Sequence, residues 1–135
     1  MQDIKFWLDR QTGAIDPTLF SIRAEELAKL LAGECERSRK RENKRTQIRK
    51  FYDEVVRLNM DAKKLDDKTW ARTLPLVHML VAKAAYAKGR KLVSANFVAF
   101  IRFSITQIKE PKDLAVFANF FEAFMGFYRL HCPAN

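Results

Sequence analysis

Six large apolar side chains near the C-terminus, Leu114, Phe117, Phe120, Phe121, Phe124 and Phe127, recur at spacings of one, three and four. That period winds them onto one broad face of an α-helix and is incompatible with the strict alternation of a strand. Eight of the eleven phenylalanines lie after residue 96. The last part of the chain is therefore expected to supply the densest packing, because large aromatics dominate buried energetics.

The same period recurs upstream. Leu27, Leu30, Leu31 and Cys35 predict a first helix from about Ser21 to about Lys40, with Ser21 as N-cap and Glu25 and Glu26 on the positive end of the dipole. Ile48, Phe51, Tyr52, Val55 and Leu58 predict a second, capped by Thr46, with Lys50 and Arg57 turned to solvent. A charged stretch, Asp61 to Lys68, leads to a third helix, expected to start with Thr73 as N-cap and Pro75 in its first turn, because an interior proline would clash. Its inward residues are read as Leu74, Val77, Val81, Ala84 and Ala85, and Gly89 is its expected stop. A fourth helix runs from Leu92 to about Lys109 with Val93, Phe97, Phe100, Ile101 and Ile108 inward, and Pro111 opens a fifth that reaches about Leu130.

With 135 residues and only four Gly and four Pro, this pattern fits an all-α, single-domain bundle of about five helices with a less ordered N-terminal arm. Residues 1–20 are read as that arm, in which Ile4 to Leu8 form an amphipathic fragment needing a docking surface and Gln11-Thr12-Gly13 breaks any regular pattern. Residues 21–135 are read as the helical domain. The longest apolar tract, Leu114 to Leu130, is interrupted by Asn119, Glu122 and Arg129 and falls short of a membrane span. Met1 to Arg10 has no apolar stretch of signal-peptide length, so a cytoplasmic protein without membrane contact is expected. Cys35, on an apolar stripe, is read as a packed residue, and a reducing compartment argues against its pairing with Cys132.

Charge supplies the first functional clue. Eight of the fourteen residues from Arg37 to Lys50 are basic and only Glu42 is acidic, in a chain of net charge +9. The run passes without Pro or Gly into the second helix, so a rigid element presents part of the charge to a polyanionic partner. Continued backwards, that helix would rotate Arg41 and Arg45 onto its own apolar stripe, so residues 41–45 are read as a basic connector.

Catalytic patterns are missing. Glycines 13, 33, 89 and 126 are too dispersed to cradle a phosphate, and no CxxC or HxxxH pairing supports a metal site. The acid pairs Glu25-Glu26, Asp53-Glu54 and Asp66-Asp67 are sequence neighbours, which do not face each other on a helix. His78 is read as a packed or surface residue. Neither an enzyme nor a cofactor is expected.

The string Asn43-Lys44-Arg45-Thr46-Gln47-Ile48-Arg49-Lys50-Phe51-Tyr52, continuing to Val55, closely resembles the hallmark segment of the small subunit of type III-A CRISPR effector complexes, the Csm small-subunit family. Ala85 to Lys91 is similar to the family's central helix end, and Phe117 to Leu130 to its C-terminal aromatic helix. The resemblance covers residues from about 40 onward. It implies an all-helical, non-catalytic subunit. Several copies would line up beside the backbone and large subunits of a ribonucleoprotein carrying CRISPR RNA, with target RNA along them. Cleavage would fall to other subunits.

Cations neutralise phosphates without reading bases, which suits a subunit that must accept any target chosen by guide pairing. Lys44, Arg45, Arg49 and Lys50 are the expected backbone contacts, with Asn43 and Thr46 as hydrogen-bond donors to phosphate or sugar. Arg90 and Lys91 form a second candidate patch. Each has a plainer alternative: Arg49 could pair with Asp53, Lys50 with Glu54, and Arg90 and Lys91 could serve only to cap a helix end. Two other function classes stay open: a helical DNA-binding regulator and a basic protein-interaction module.

Overall fold

The computed structural model describes residues 4–64 and 66–132. A short antiparallel hairpin, β1 (Trp7–Asp9) and β2 (Ala14–Ile15), precedes a π-helical turn, Leu19–Arg23. Five helices follow: α1 (Ala24–Arg37), α2 (Arg45–Ala62), α3 (Asp67–Gly89), α4 (Ala95–Thr106) and α5 (Pro111–His131). The all-α reading holds, with the hairpin as its small exception. Helix α5 lies against α1 and α2, while α3 packs on α2 and α4.

The aromatic face of α5 forms the centre of the core. Phe100 of α4 is ringed by Phe117, Phe120, Phe121 and Phe124, with centroids 5.4–5.9 Å apart and tilted or edge contacts. Such geometries match the ring quadrupoles better than face-to-face stacks. Leu114, Phe117, Phe120, Phe121 and Phe124 are all fully buried, whereas Phe127 packs only partly against the core. The stripes read for α1, α2 and α4 are likewise inward: Leu27, Leu31, Cys35, Ile48, Phe51, Val55, Leu58, Val93, Phe97, Ile101 and Ile108 are buried, and Leu30 and Tyr52 half-buried.

Several boundaries differ from the sequence expectation. Ser21 does not cap α1; it lies inside the π-helical turn, whose N-cap is Thr18, and Asp16 accepts from the Thr18 amide and hydroxyl just before that turn. Thr46 falls in the first turn of α2, whose N-cap is Lys44. Helix α3 starts earlier than Thr73, at Asp67, with Asp66 Oδ1 accepting from Lys68 N at 3.0 Å, so Pro75 is interior. Pro75 and Ala71, whose carbonyl loses its partner, both face solvent, where the missing hydrogen bond costs least. The inward face of α3 is consequently Thr73, Val77, Leu80, Ala84 and Ala87, and Ala85 is exposed. Gly89 is the last residue of α3, but the left-handed position beyond it belongs to Lys91, at φ 62°. That turn delays α4 to Ala95, capped by Ser94.

Residues of the N-terminal arm dock where α4 ends and α5 begins. Phe6 is fully buried and stacks on Phe117, its amide donating to Gln107 Oε1 at 2.8 Å. Gln107 returns a bond to the Ile4 carbonyl. Gly13, at φ 75°, closes the hairpin turn. The buried Asp113 carboxylate accepts from Trp7 Nε1 (2.8 Å), Arg10 Nη1 (2.7 Å) and the amides of Lys109 and Glu110 (both 2.9 Å). Burial alone would raise this carboxyl, but Arg10 and the amide donors outweigh it and hold it below the usual carboxylate range.

Candidate nucleic-acid interface

Helix α1 ends with its chain in an unusual conformation. Arg39 and Lys40 both take φ near 60°, and Lys40 N closes the helix end on the Cys35 carbonyl at 2.8 Å. Glycine would adopt this region at no steric cost, so basic residues there carry a conformational penalty. Ser38 Oγ braces the turn, donating to Cys35 O and accepting from Glu42 N, both at 2.9 Å.

Asn43 then organises the connection. It too has φ 60° and is fully buried. Its Nδ2 donates to Leu31 O (3.4 Å) and Ser94 Oγ (3.0 Å), its Oδ1 accepts from Ser94 N (2.9 Å), and its own amide donates to Leu92 O (2.9 Å). The Tyr128 hydroxyl donates to its carbonyl. Ser94 Oγ in turn donates to Glu34 Oε1 at 2.7 Å. The Asn43 amide group therefore departs from its expected role as a donor to phosphate or sugar: its hydrogen-bonding capacity is spent inside the protein. Its effect is to join the α1–α2 connection to the α3–α4 connection. The two basic patches read separately from the sequence, 43–50 and 90–91, thus share one end of the bundle.

Beyond Asn43 the cations diverge. Lys44, Thr46, Arg49 and Lys50 are exposed and Arg45 is half-buried. Successive helical residues are about 100° apart, so Arg49 and Lys50 face different grooves. One groove, of about 360 Å³, lies between α2 and α5 and presents Arg45, Thr46, Arg49 and Arg129 with Glu122 as its one acid. The other, of about 280 Å³, lies between α2 and α3 and presents Lys50, Lys83 and Arg90 with Glu54 as its one acid. Arg49 lies 4.0 Å from Asp53, both side chains 65% exposed, a pairing of little energetic weight. Glu54 does not hold Lys50; it binds Arg57 at 2.6 Å and Lys83 at 3.5 Å. The Arg90 guanidinium lies over the Tyr86 ring, 5.8 Å from its centroid, while its backbone amide bonds the Tyr86 carbonyl. Lys91 is exposed beside it.

Lys83, Tyr86 and Arg129 were not singled out by sequence reasoning. A signal for the first two exists: positions 83, 86 and 90 are i, i+3 and i+7 on one helix face. Arg129 comes to α2 only through the packing of α5.

Cys35 and Cys132 are buried and not joined by a disulfide, their sulfurs 3.8 Å apart, and burial together with the neighbouring thiol pushes Cys35 up to about 11. His78 is exposed, and His131 Nε2 sits 2.8 Å from Glu25 Oε2. Among the described residues no cluster of three or more His, Cys, Asp or Glu could hold a metal ion, and no helix is long and apolar enough to cross a membrane.

A family model described as Csm2 Type III-A matches residues 17–133. The chain belongs to that family, the small subunits of type III-A CRISPR complexes. The match begins at residue 17, well before the position near 40 where the sequence resemblance was read to start. No curated protein and no solved structure matches the chain.

Proposed function

We propose that this member of the Csm2 family is a non-catalytic subunit, acting in the cytoplasm, that holds the guide–target RNA of its complex by sequence-independent contacts to the phosphate backbone. Several copies line up beside the backbone and large subunits, so that each contributes the same cationic surface to a stretch of CRISPR RNA paired with target. The observation that carries this reading is the pair of grooves flanking α2, each presenting three cations against one carboxylate. Lys44, Arg45, Thr46 and Arg49 with Arg129 serve one side; Lys50, Arg90 and Lys91 serve the other. Arg and Lys so placed neutralise phosphates and release counterions, a source of affinity indifferent to base sequence.

The test is fluorescence anisotropy of labelled RNA across a salt series, with the wild-type chain and with an Arg45→Glu/Arg49→Glu/Lys50→Glu variant. Wild-type binding to single strands should ignore sequence and fall with salt at about −0.7 in log-log slope per phosphate neutralised. The variant should keep its helical circular dichroism, lose at least tenfold in affinity and show a shallower slope. Equal affinity and slope in the folded variant would overturn the assignment. Sequence-dependent binding to duplex DNA, or no nucleic-acid binding at low salt, would turn the reading toward a DNA regulator or a protein-interaction module.

A further inference from the structure

We infer that the groove between α2 and α3 is a stacking subsite for an unpaired base of single-stranded RNA, with Tyr86 as the platform and Lys50, Lys83 and Arg90 as its phosphate contacts. This rests on the RNA-holding reading above and adds a ligand class to one of its two grooves.

The three tyrosines of the chain are used differently. Tyr128 is fully buried and stacks on Phe124, and Tyr52 packs against Phe121 at 5.5 Å. Tyr86 is 67% exposed, and the one ring contact it makes among the described residues is with Arg90. With a guanidinium over one face, such exposure leaves much of the remaining π surface to solvent. An exposed aromatic among cations is the arrangement by which proteins hold single strands: every base offers a π face, and the cations track its phosphates.

The surroundings favour a polyanion over an apolar protein segment. Lys83 stands one turn before Tyr86 and Arg90 one turn after, while Lys50 supplies the opposite wall from α2. The single acid, Glu54, is neutralised by Arg57 and Lys83. The α2–α5 groove has the same charge but no exposed ring: its aromatic, Tyr52, is half-buried and packs on Phe121. The two grooves should therefore differ in ligand, the α2–α5 side taking any phosphate backbone and the α2–α3 side preferring a strand with free bases.

The experiment uses the full chain and a labelled single-stranded RNA carrying one 2-aminopurine, compared with the same RNA annealed to its complement. Tyr86→Ala should weaken single-strand binding by roughly 5- to 150-fold, the range for loss of one base–aromatic stack. It should leave duplex affinity within about twofold and the salt slope unchanged, because no phosphate contact is removed. Tyr86→Phe, which keeps the ring, should bind like wild type, and 2-aminopurine fluorescence should be quenched by wild type and Tyr86→Phe but not by Tyr86→Ala. If wild type binds single strands and the folded Tyr86→Ala variant binds them equally well, the stacking subsite is wrong while the RNA-holding role stands. Equal losses on single strand and duplex would also sink it, by showing that the ring shapes the groove instead of contacting a base. A wild-type chain that binds no RNA would bring down both.

Discussion

The two ends of the bundle are each closed around one buried polar residue, Asn43 at one and Asp113 at the other, and they meet the cost of that burial differently. Asn43 is neutral and joins the chain between α1 and α2 to that between α3 and α4 through bonds to Leu31, Leu92 and Ser94. Asp113 is an ionised carboxylate that needs a countercharge, Arg10, brought by the N-terminal arm, plus two backbone amides and an indole. An amide saturates its donors and acceptor without adding charge, so it can sit beneath a cationic surface without changing that surface's net charge. A buried carboxylate is stable only while its donors stay in place. The buried group at one end is thus neutral, with a carboxylate, Glu34, only at the edge of its network, whereas the buried group at the other end is itself the carboxylate.

Removing Asn43 should show the largest effect. Asn43→Ala leaves the Ser94 amide without its partner, removes the Nδ2 bonds to Ser94 Oγ and Leu31 O, and puts alanine at φ 60°. A loss of about 3 kcal/mol is expected in urea unfolding, together with weaker RNA binding as the two basic connections separate. A cost below that of the Asp113 change would break the ranking of the two ends.

Asp113→Asn should cost about 2 kcal/mol at neutral pH, because the Arg10 pairing and part of the amide cradle are lost. The sign of its pH dependence follows from the direction of the shift. A carboxyl held lower in the folded chain contributes stability that is complete above its unfolded value of about 3.9 and is lost as pH falls through the lower folded value. Unfolding followed from pH 7 to pH 2 should show a larger acid loss in wild type than in Asp113→Asn, in which Asp16, held low by Thr18, and Glu54, held low by Arg57, still titrate. Equal acid sensitivity in the two proteins would place the titrating group elsewhere.

The smallest effect concerns the left-handed positions at the cationic end. Lys91→Gly should stabilise the fold by about 0.5–1 kcal/mol, since glycine takes φ 62° without the Cβ penalty. The same change should lower RNA affinity by removing a cation. A variant more stable and equally tight on RNA would mean that Lys91 is not a contact.

Much of this fold was legible in periodicity. The stripes of α1, α2, α4 and α5 point inward because a 3.6-residue repeat of large apolar groups has few other ways to be buried. The errors came from strong local signals taken as decisive. Pro75 reads as a helix start, yet an exposed helix face tolerates it. Thr46 and Ser21 are good capping residues, yet Lys44 and Thr18 stand where the helical turns begin. Gly89 is the expected left-handed stop, yet Lys91 occupies that conformation two residues later.

The candidate interface divides in the same way. The concentration of cations in 37–50, their exposure on one helix and the family to which they belong were all present in the amino-acid string. Composition and period require only that charge be solvated and apolar groups be covered. Only the tertiary structure decided that Asn43 lies inside, that Arg90 and Lys91 join the same end as the basic connector, that Arg49 and Lys50 open onto separate grooves, and that Tyr86 stands uncovered between cations. These depend on which helices cross and where their connections meet. That is set by packing between residues distant along the chain, which no local pattern records.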